Sequence, residues 1–361
     1  MNVVRGNPRR GSPATIKDVA EAAQVSATAV SRHFNQRIVL PAETAARIEK
    51  AAENLGYRPN VAARRLSLGC SESLGMVISD IAYPLFAAVA SAAEAECTRQ
   101  GYTLLIFNSR NELRKEIAFL QRIEDAQVDG VLFMTNHSGQ PEMAQVINRV
   151  RNVVLLDEDV PGANVSRLFA RSREGARMAV EHLVAEGHRR IAYVGGERDL
   201  LSTNERLLGY RDALAAAGID PDPRLEIFAG YGEGSGEAAF AQLDAMDAPP
   251  TAIFAGADMI AIDLLRAMRP LGLRVPEAVS LIGFDDAILM DVLDPPLTTV
   301  RQSSEAFGTR GIQLLLETIT GQRETPTTEH IEVELIKRGS VGRPRHALHW
   351  RDTAPRDLAA Q

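Results

Sequence analysis

The chain has 361 residues, 45% of them hydrophobic and 24% charged, with a net charge of −7 and two cysteines. This length and apolar content exclude a disordered chain or a small disulfide-stapled scaffold, and no apolar run approaches membrane length. The charge is uneven: residues 1–70 carry 11 Lys and Arg against 5 Asp and Glu, and the remaining 291 carry 29 against 42. A cationic head on an acidic body separates attraction for a polyanion from the work of the larger part.

Residues 1–13 lack an apolar signal core and are rich in Arg, Pro and Gly, so a mobile basic tail that adds nonspecific phosphate attraction is expected there. Next, Ile16, Val19, Ala20 and Ala23 fall at i, i+3, i+4 and i+7, one apolar helical face. Thr15 caps its start, with Asp18 three residues on. Gln24 to Ser26 form a break, and Ser26 caps a second helix whose inner face holds Val30 and Phe34. Pro41 opens a third helix, with Ala45, Ile48, Ala52 and Leu55 expected inward and Gly56 ending it. This gives a helix-turn-helix unit over residues 14–58. The second helix leaves Ala27, Thr28, Ser31 and Arg32 outward, where short side chains permit close approach to DNA and Arg matches a guanine edge.

Three motifs in this head, Thr15-Ile16-Lys17-Asp18-Val19-Ala20, Val25-Ser26-x-x-x-Val30-Ser31-Arg32 and Leu55-Gly56-Tyr57-Arg58-Pro59-Asn60-x-x-Ala63-Arg64-x-Leu66, resemble the headpiece of the lactose-repressor (LacI/GalR) family of bacterial transcription regulators. The resemblance spans about residues 14–342. It implies DNA contacts from Thr15, Ser26, Ala27, Thr28, Ser31, Arg32, Asn35 and Tyr57. Residues 59–70 read as a hinge helix, with a plain linker as the alternative. In the hinge reading Asn60 caps the helix, Ala63 lets two copies pack, Arg65 meets phosphate and Leu66 wedges between base pairs, kinking the duplex. Two departures stand out: Gln24 occupies a turn position where the family commonly has Gly, which implies a left-handed residue at modest cost, and His33-Phe34 replaces commoner aliphatics.

Beyond Cys70 short apolar runs alternate with helical stretches: Leu74 to Ile78, Thr103 to Phe107, Val131 to Met134, Val153 to Leu156, Ile191 to Val194, Leu225 to Phe228, Ala252 to Phe254 and Val279 to Ile282. Such alternation predicts parallel sheets covered by helices, and this length predicts two α/β lobes. The expected fold class is α/β: an all-α headpiece and, by resemblance, a two-lobed periplasmic-binding-protein-like body over residues 71–342. Residues 343–361 read as a mobile C-terminal tail.

Ligands of open α/β sheets bind beyond the carboxyl ends of strands. The residues there include Asp80, Tyr83, Phe86, Asn108, Asn136, Asp157, Asp258 and Asp285, hydrogen-bonding groups with a few rings that suit a hydroxyl-rich ligand. The resemblance gives ligand-contacting roles to Arg206 and Asp285. Where the family commonly has Asp-Asn and Asn-Asp, this chain has Arg171-Ser172 and Ala257-Asp258. Arg171 either enters the pocket, favouring a sugar acid or sugar phosphate, or points to solvent.

Gly232-x-Gly234-x-Gly236 lacks the spacing of a dinucleotide fingerprint and reads as a loop before a helix. The histidines show no metal-ligand spacing, and no nucleophile elbow or acid/base pair stands out, so no metal, no cofactor and no enzymatic activity are expected. Cys70 and Cys97 make no disulfide framework, which fits a reducing bacterial cytoplasm and the nucleoid. One headpiece reads too few bases, so a homodimer on a pseudo-palindromic operator is expected. By resemblance its contacts lie along Pro84 to Gln100 and near Asp286 to Leu297; the tail has no leucine heptads for a tetramer. The function expected is a ligand-responsive transcriptional regulator, a repressor of double-stranded operator DNA controlled, as the resemblance implies, by a sugar or sugar derivative first, with purine-like ligands the minority alternative. The rival readings are a sugar-binding receptor and a sugar-metabolising enzyme on the same scaffold.

Overall fold

The structure, a computed structural model, describes residues 14–35, 38–57, 70–124, 128–137, 139–344 and 350, which form two compact units divided after Ser71. The first holds α1 (Ile16–Ala23), α2 (Ala27–Phe34) and α3 (Ala42–Leu55). Val19, Val30 and Ile48, all fully buried, close one small core with Ala20, Ala23, Ala51 and Ala52. The Asp18 carboxylate accepts from both the backbone N–H and the hydroxyl of Thr15, and Ser26 Oγ accepts from Ala29 N at 3.1 Å, so both helix starts are satisfied as the sequence requires. Gln24 ends α1 at φ 55°, ψ 46°, the left-handed conformation that Gly takes most easily. Leu55 departs from expectation. It is 41% exposed at the last turn of α3, and Ala51, one turn earlier, takes the inner position.

The second unit has two lobes. Lobe one is a six-stranded sheet in the order β11-β5-β4-β3-β1-β2, all parallel: β1 (Ser73–Ile78), β2 (Thr103–Asn108), β3 (Gly130–Phe133), β4 (Val153–Leu156), β5 (Ser166–Ala170) and β11 (Thr328–Ile331). Around it lie α4 (Pro84–Arg99), α5 (Leu113–Glu124), α6 (Pro141–Ile147) and α11 (Ser304–Ile319). Lobe two orders its strands β12-β10-β9-β8-β6-β7, with β6 (Ile191–Gly195), β7 (Glu226–Phe228), β8 (Ala252–Ala255), β9 (Ser280–Asp285), β10 (Thr298–Gln302) and β12 (Val333–Ile336). Only β12 runs antiparallel, paired with β10. Its helices are α7 (Ser172–Ala185), α8 (Leu201–Ala216), α9 (Ser235–Asp244) and α10 (Asp258–Met268).

The chain passes between the lobes three times: from β5 to α7, from β10 to α11, and from β11 to β12. Each sheet therefore depends on distant sequence, and the four strands absent from the sequence reading, β5, β10, β11 and β12, are those next to these crossings. β11 and β12 read Thr-Glu-His-Ile and Val-Glu-Leu-Ile and are partly exposed, so they lack the continuous apolar run of a central parallel strand. Segment 286–297, expected by resemblance at the dimer contact, is a series of turns and bends.

Of the stretch expected as a mobile tail beyond residue 342, residues 343, 344 and 350 are described. Trp350 is 2% exposed, lies flat on Phe240 with ring centroids 5.5 Å apart, and donates its indole N–H to Pro250 O at 3.0 Å. Burying so large a ring while satisfying its one donor outweighs the polar composition of its neighbours. The basic tail at 1–13 and the hinge, with Asn60, Ala63, Arg65 and Leu66, lie outside the described residues.

Candidate functional site

In the head, α2 presents Thr28 and Arg32 exposed and Ala27 and Ser31 half-exposed. Arg32 makes no ion pair among the described residues, which leaves its guanidinium available to an outside partner. Ser26 is also exposed, with its oxygen already capping α2. Asn35 turns back to Ser31 Oγ at 3.4 Å. Tyr57 packs against the core with its ring 5.8 Å from Phe34, and Phe34 meets His33 edge-on at 5.4 Å, so the unusual His33-Phe34 pair forms an aromatic cluster that ties the end of α2 to the end of α3.

In the body, the ends of β1, β4, β6 and β9 converge on a cleft of about 160 Å³ between the lobes. Of the ten effector candidates it brings together seven: Asp80, Tyr83, Phe86, Asn136, Asp157, Arg206 and Asp285. Tyr83 Oη donates to Asp285 Oδ2 at 3.0 Å, a bond from lobe one to lobe two, and Gln302 Nε2 donates to Asp285 Oδ1 at 2.6 Å. Arg206 is 3% exposed: Nη1 donates to Gly256 O at 2.6 Å and to Tyr231 Oη at 3.3 Å, and the guanidinium lies 3.9 Å over the ring of Phe284. Burial opposes its charge, but Tyr231, Asp285 and Asp157 outweigh that and hold its pKa above the ordinary arginine value. Burial raises the Asp285 carboxyl to about 6, against the pull of Arg206.

The other three candidates lie elsewhere. Asn108 spends its amide oxygen on Arg110 N at 3.2 Å, turning the loop so that Asn111 reaches the cleft in its place. Asp258 is fully buried and accepts from Thr299 Oγ1 at 2.6 Å and from Ala287 N at 2.8 Å; it pins the backbone beside Asp285 and does not line the cleft. Arg171 is half-exposed, pairs with Glu332 at 2.7 Å, and lines a separate side chamber of about 570 Å³ that adjoins the cleft at Asp157 and Ser202.

Several cleft residues escaped the sequence reading: Glu158, Glu197, Ser202, Tyr231 and Gln302. Glu158 is 3% exposed and accepts from Ser202 N of the other lobe at 3.3 Å; burial first, and then the neighbouring Asp157 carboxylate, push its pKa up to about 8. Behind the cleft, buried Glu116 accepts from Ser109 Oγ and Thr135 Oγ1, which braces the loops carrying Asn111 and Asn136. Three buried side-chain atoms of cleft residues have no hydrogen-bond partner: Arg206 Nε, Glu197 Oε2 and Gln302 Oε1. No motif marks these positions, although strand-end placement singles out Asp157 beside Glu158.

Compared with known proteins, residues 15–60 match the model of bacterial regulatory proteins of the lacI family, and residues 180–341 match a periplasmic binding protein-like domain. The HTH-type transcriptional repressor PurR of Aliivibrio salmonicida is 32% identical over 330 residues, covering 91% of this chain and 99% of that protein. The chain belongs to the lacI family of bacterial regulatory proteins. PurR of Pasteurella multocida is 33% identical over 331 residues, covering 91% of this chain and 98% of its own length. Among solved structures, a lac repressor dimer bound to operator and the anti-inducer ONPF matches with TM-score 0.81 and 27% identity, covering 92% of this chain and all of that one. The CelR–cellobiose complex matches with TM-score 0.70 and 30% identity, covering 91% and 100%. As a lacI-family member this chain is a ligand-responsive, DNA-binding transcriptional regulator, and the relatives that match it end to end are named as regulators. No helix among the described residues is long and apolar enough to cross a membrane.

Proposed function

We propose that this regulator binds a pseudo-palindromic operator as a homodimer and that its affinity is set by a hydroxyl-rich small molecule, a sugar or sugar derivative without an anionic group, held between the lobes. The observation that carries the ligand class is the composition of the cleft. Arg206 is its one cation among the described residues, already engaged by Gly256 O and Phe284, against carboxylates from Asp80, Asp157, Glu197, Glu233 and Asp285, while Glu158 keeps its proton below about pH 8. A phosphate or sugar acid entering there meets net repulsion, and Arg171, the residue that would have favoured one, is paired with Glu332 outside the cleft. Carboxylates and amides suit hydroxyl donors, and Tyr83 and Phe86, with rings 5.0 Å apart, offer an apolar face for a sugar ring. The volume suits a ligand of about one ring, below the ~300 Å³ at which drug-sized sites begin.

Ligand between the lobes adds contacts to both sides of the Tyr83–Asp285 bond and favours one relative arrangement of the lobes. Transmission to DNA then follows from a change at the dimer contact and in the spacing of the two 59–70 hinges. Support for the dimer comes from Ile288, Leu289 and Val292, exposed to 77%, 59% and 68%, in the segment assigned to that contact. In the bacterial cytoplasm the protein would sit on the nucleoid when bound to DNA.

The test is a thermal-shift series on the full chain with neutral sugars, sugar phosphates, sugar acids and nucleobases, followed by release or retention of an operator obtained by in vitro selection. A ligand at 100 times its Kd stabilises by about 2.7 kcal/mol. Stabilisation by a sugar without an anionic group, with a change in operator affinity, is the expected result; stabilisation by sugar phosphates alone removes the cleft reading.

A further inference from the structure

The cleft holds more negative charge than its own cation balances. Arg206 faces Asp285 and Asp157, yet Asp80, Glu197 and Glu233 make no ion pair with any Lys or Arg among the described residues. A second observation is independent of that charge. Gln302, 2% exposed, leaves its amide oxygen without a donor, as Glu197 does with Oε2. Two acceptors in the same cleft therefore lack donors, one on Gln302 and the other on the unbalanced Glu197 carboxylate. A sugar hydroxyl donates once and brings no charge; a protonated amine donates three times and brings the missing one.

We propose that the effector is an amino sugar, its ammonium group seated against Glu197 and its hydroxyls shared among Asp285, Gln302 and Arg206. This rests on the reading of the cleft as a sugar site and sharpens it: the amine supplies the charge complementarity, and the hydroxyls supply the fit common to all sugars.

The test is titration calorimetry on the full chain at neutral pH with three matched pairs: glucosamine and glucose, galactosamine and galactose, mannosamine and mannose. In at least one pair the amino sugar is expected to bind tenfold or more tightly than its neutral partner, with an advantage that shrinks as salt is raised. In Glu197→Gln that advantage falls below threefold, and Glu233→Gln, at the exposed rim, lowers it less. Neutral sugars that bind as well as or better than their amino partners overturn the amine assignment and leave the sugar reading standing. An advantage that persists in Glu197→Gln overturns the placement on Glu197, and failure of all six compounds to bind overturns both readings.

Discussion

Tyr83 and Asp285 lie 202 residues apart in sequence and share a 3.0 Å hydrogen bond across the cleft, one at the start of α4 in lobe one and the other at the end of β9 in lobe two. The Asp285 carboxylate is held between the Tyr83 hydroxyl and the Gln302 amide, on a residue whose backbone stands at φ 124°. Tyr83→Phe removes the bond and keeps the ring. We expect a loss of about 1 kcal/mol in the closed arrangement and a several-fold fall in ligand affinity, with secondary structure unchanged. Unaltered affinity in a binding titration would show that the bond does not hold the lobes together.

Arg206→Met leaves Asp285 and Asp157 buried without their cation. Removing one partner of a buried charged cluster costs about 3–5 kcal/mol, far more than a surface ion pair. Denaturant titration should show the body losing most of that amount and ligand binding disappearing. Arg206→Lys restores charge without the planar fork over Phe284, so it should recover stability in part and binding poorly.

Glu158 gives the body a pH dependence of definite sign. Its pKa is about 8 in the folded lobes against an ordinary 4.5, so between those values the folded protein holds a proton that the unfolded chain has released. Stability from this group is fully present below about 4.5, declines as pH rises through the window and levels off above about 8, with a slope of up to about 1.4 kcal/mol per unit. Asp285, raised to about 6, adds a slope of the same sign at lower pH. Glu158→Gln should flatten the fall between pH 6 and 8 in denaturant midpoints; an unchanged slope would assign it to other groups.

Gln24 holds a left-handed conformation in the turn between α1 and α2. Gln24→Gly relieves it without disturbing any buried side chain, since Gln24 is exposed. The headpiece should gain about 0.5–1 kcal/mol, read as a higher midpoint of its own unfolding transition. A lower midpoint would mean that the entropy of Gly in the unfolded chain outweighs the strain.

Trp350 is the one tryptophan of the chain, so its emission reports directly on the anchor at Phe240. Trp350→Ala should cost lobe two about 3 kcal/mol, the usual range for a buried ring. In the parent protein a blue-shifted emission should move red when that anchor releases. Red emission in the native state at room temperature would show the ring in water.

Periodicity and end chemistry make much of the fold legible in the sequence. α1 begins at Ile16 and α2 at Ala27 because Thr15 and Ser26 stand where helix starts need polar caps, and the central strands follow from short apolar runs buried on both faces. Leu55 misled because its spacing fits an inner face that the helix no longer presents to the core at its last turn. Strands β11 and β12 were hidden because partly exposed pairing needs little apolar signal.

By itself the sequence determined a three-helix DNA-binding head, an α/β body and, through its motifs, the family. Tertiary structure decided which polar residues meet. Three interlobe crossings bring strand ends from across the body to one cleft, and contacts between distant elements turn Asp258 into a brace for Asp285 and leave Arg171 paired with Glu332 outside. Local pattern can place a carboxylate at a strand end, but whether it faces a ligand or a backbone N–H depends on the chain packed against it, and that partner lies a hundred or more residues away for the pair that closes this cleft.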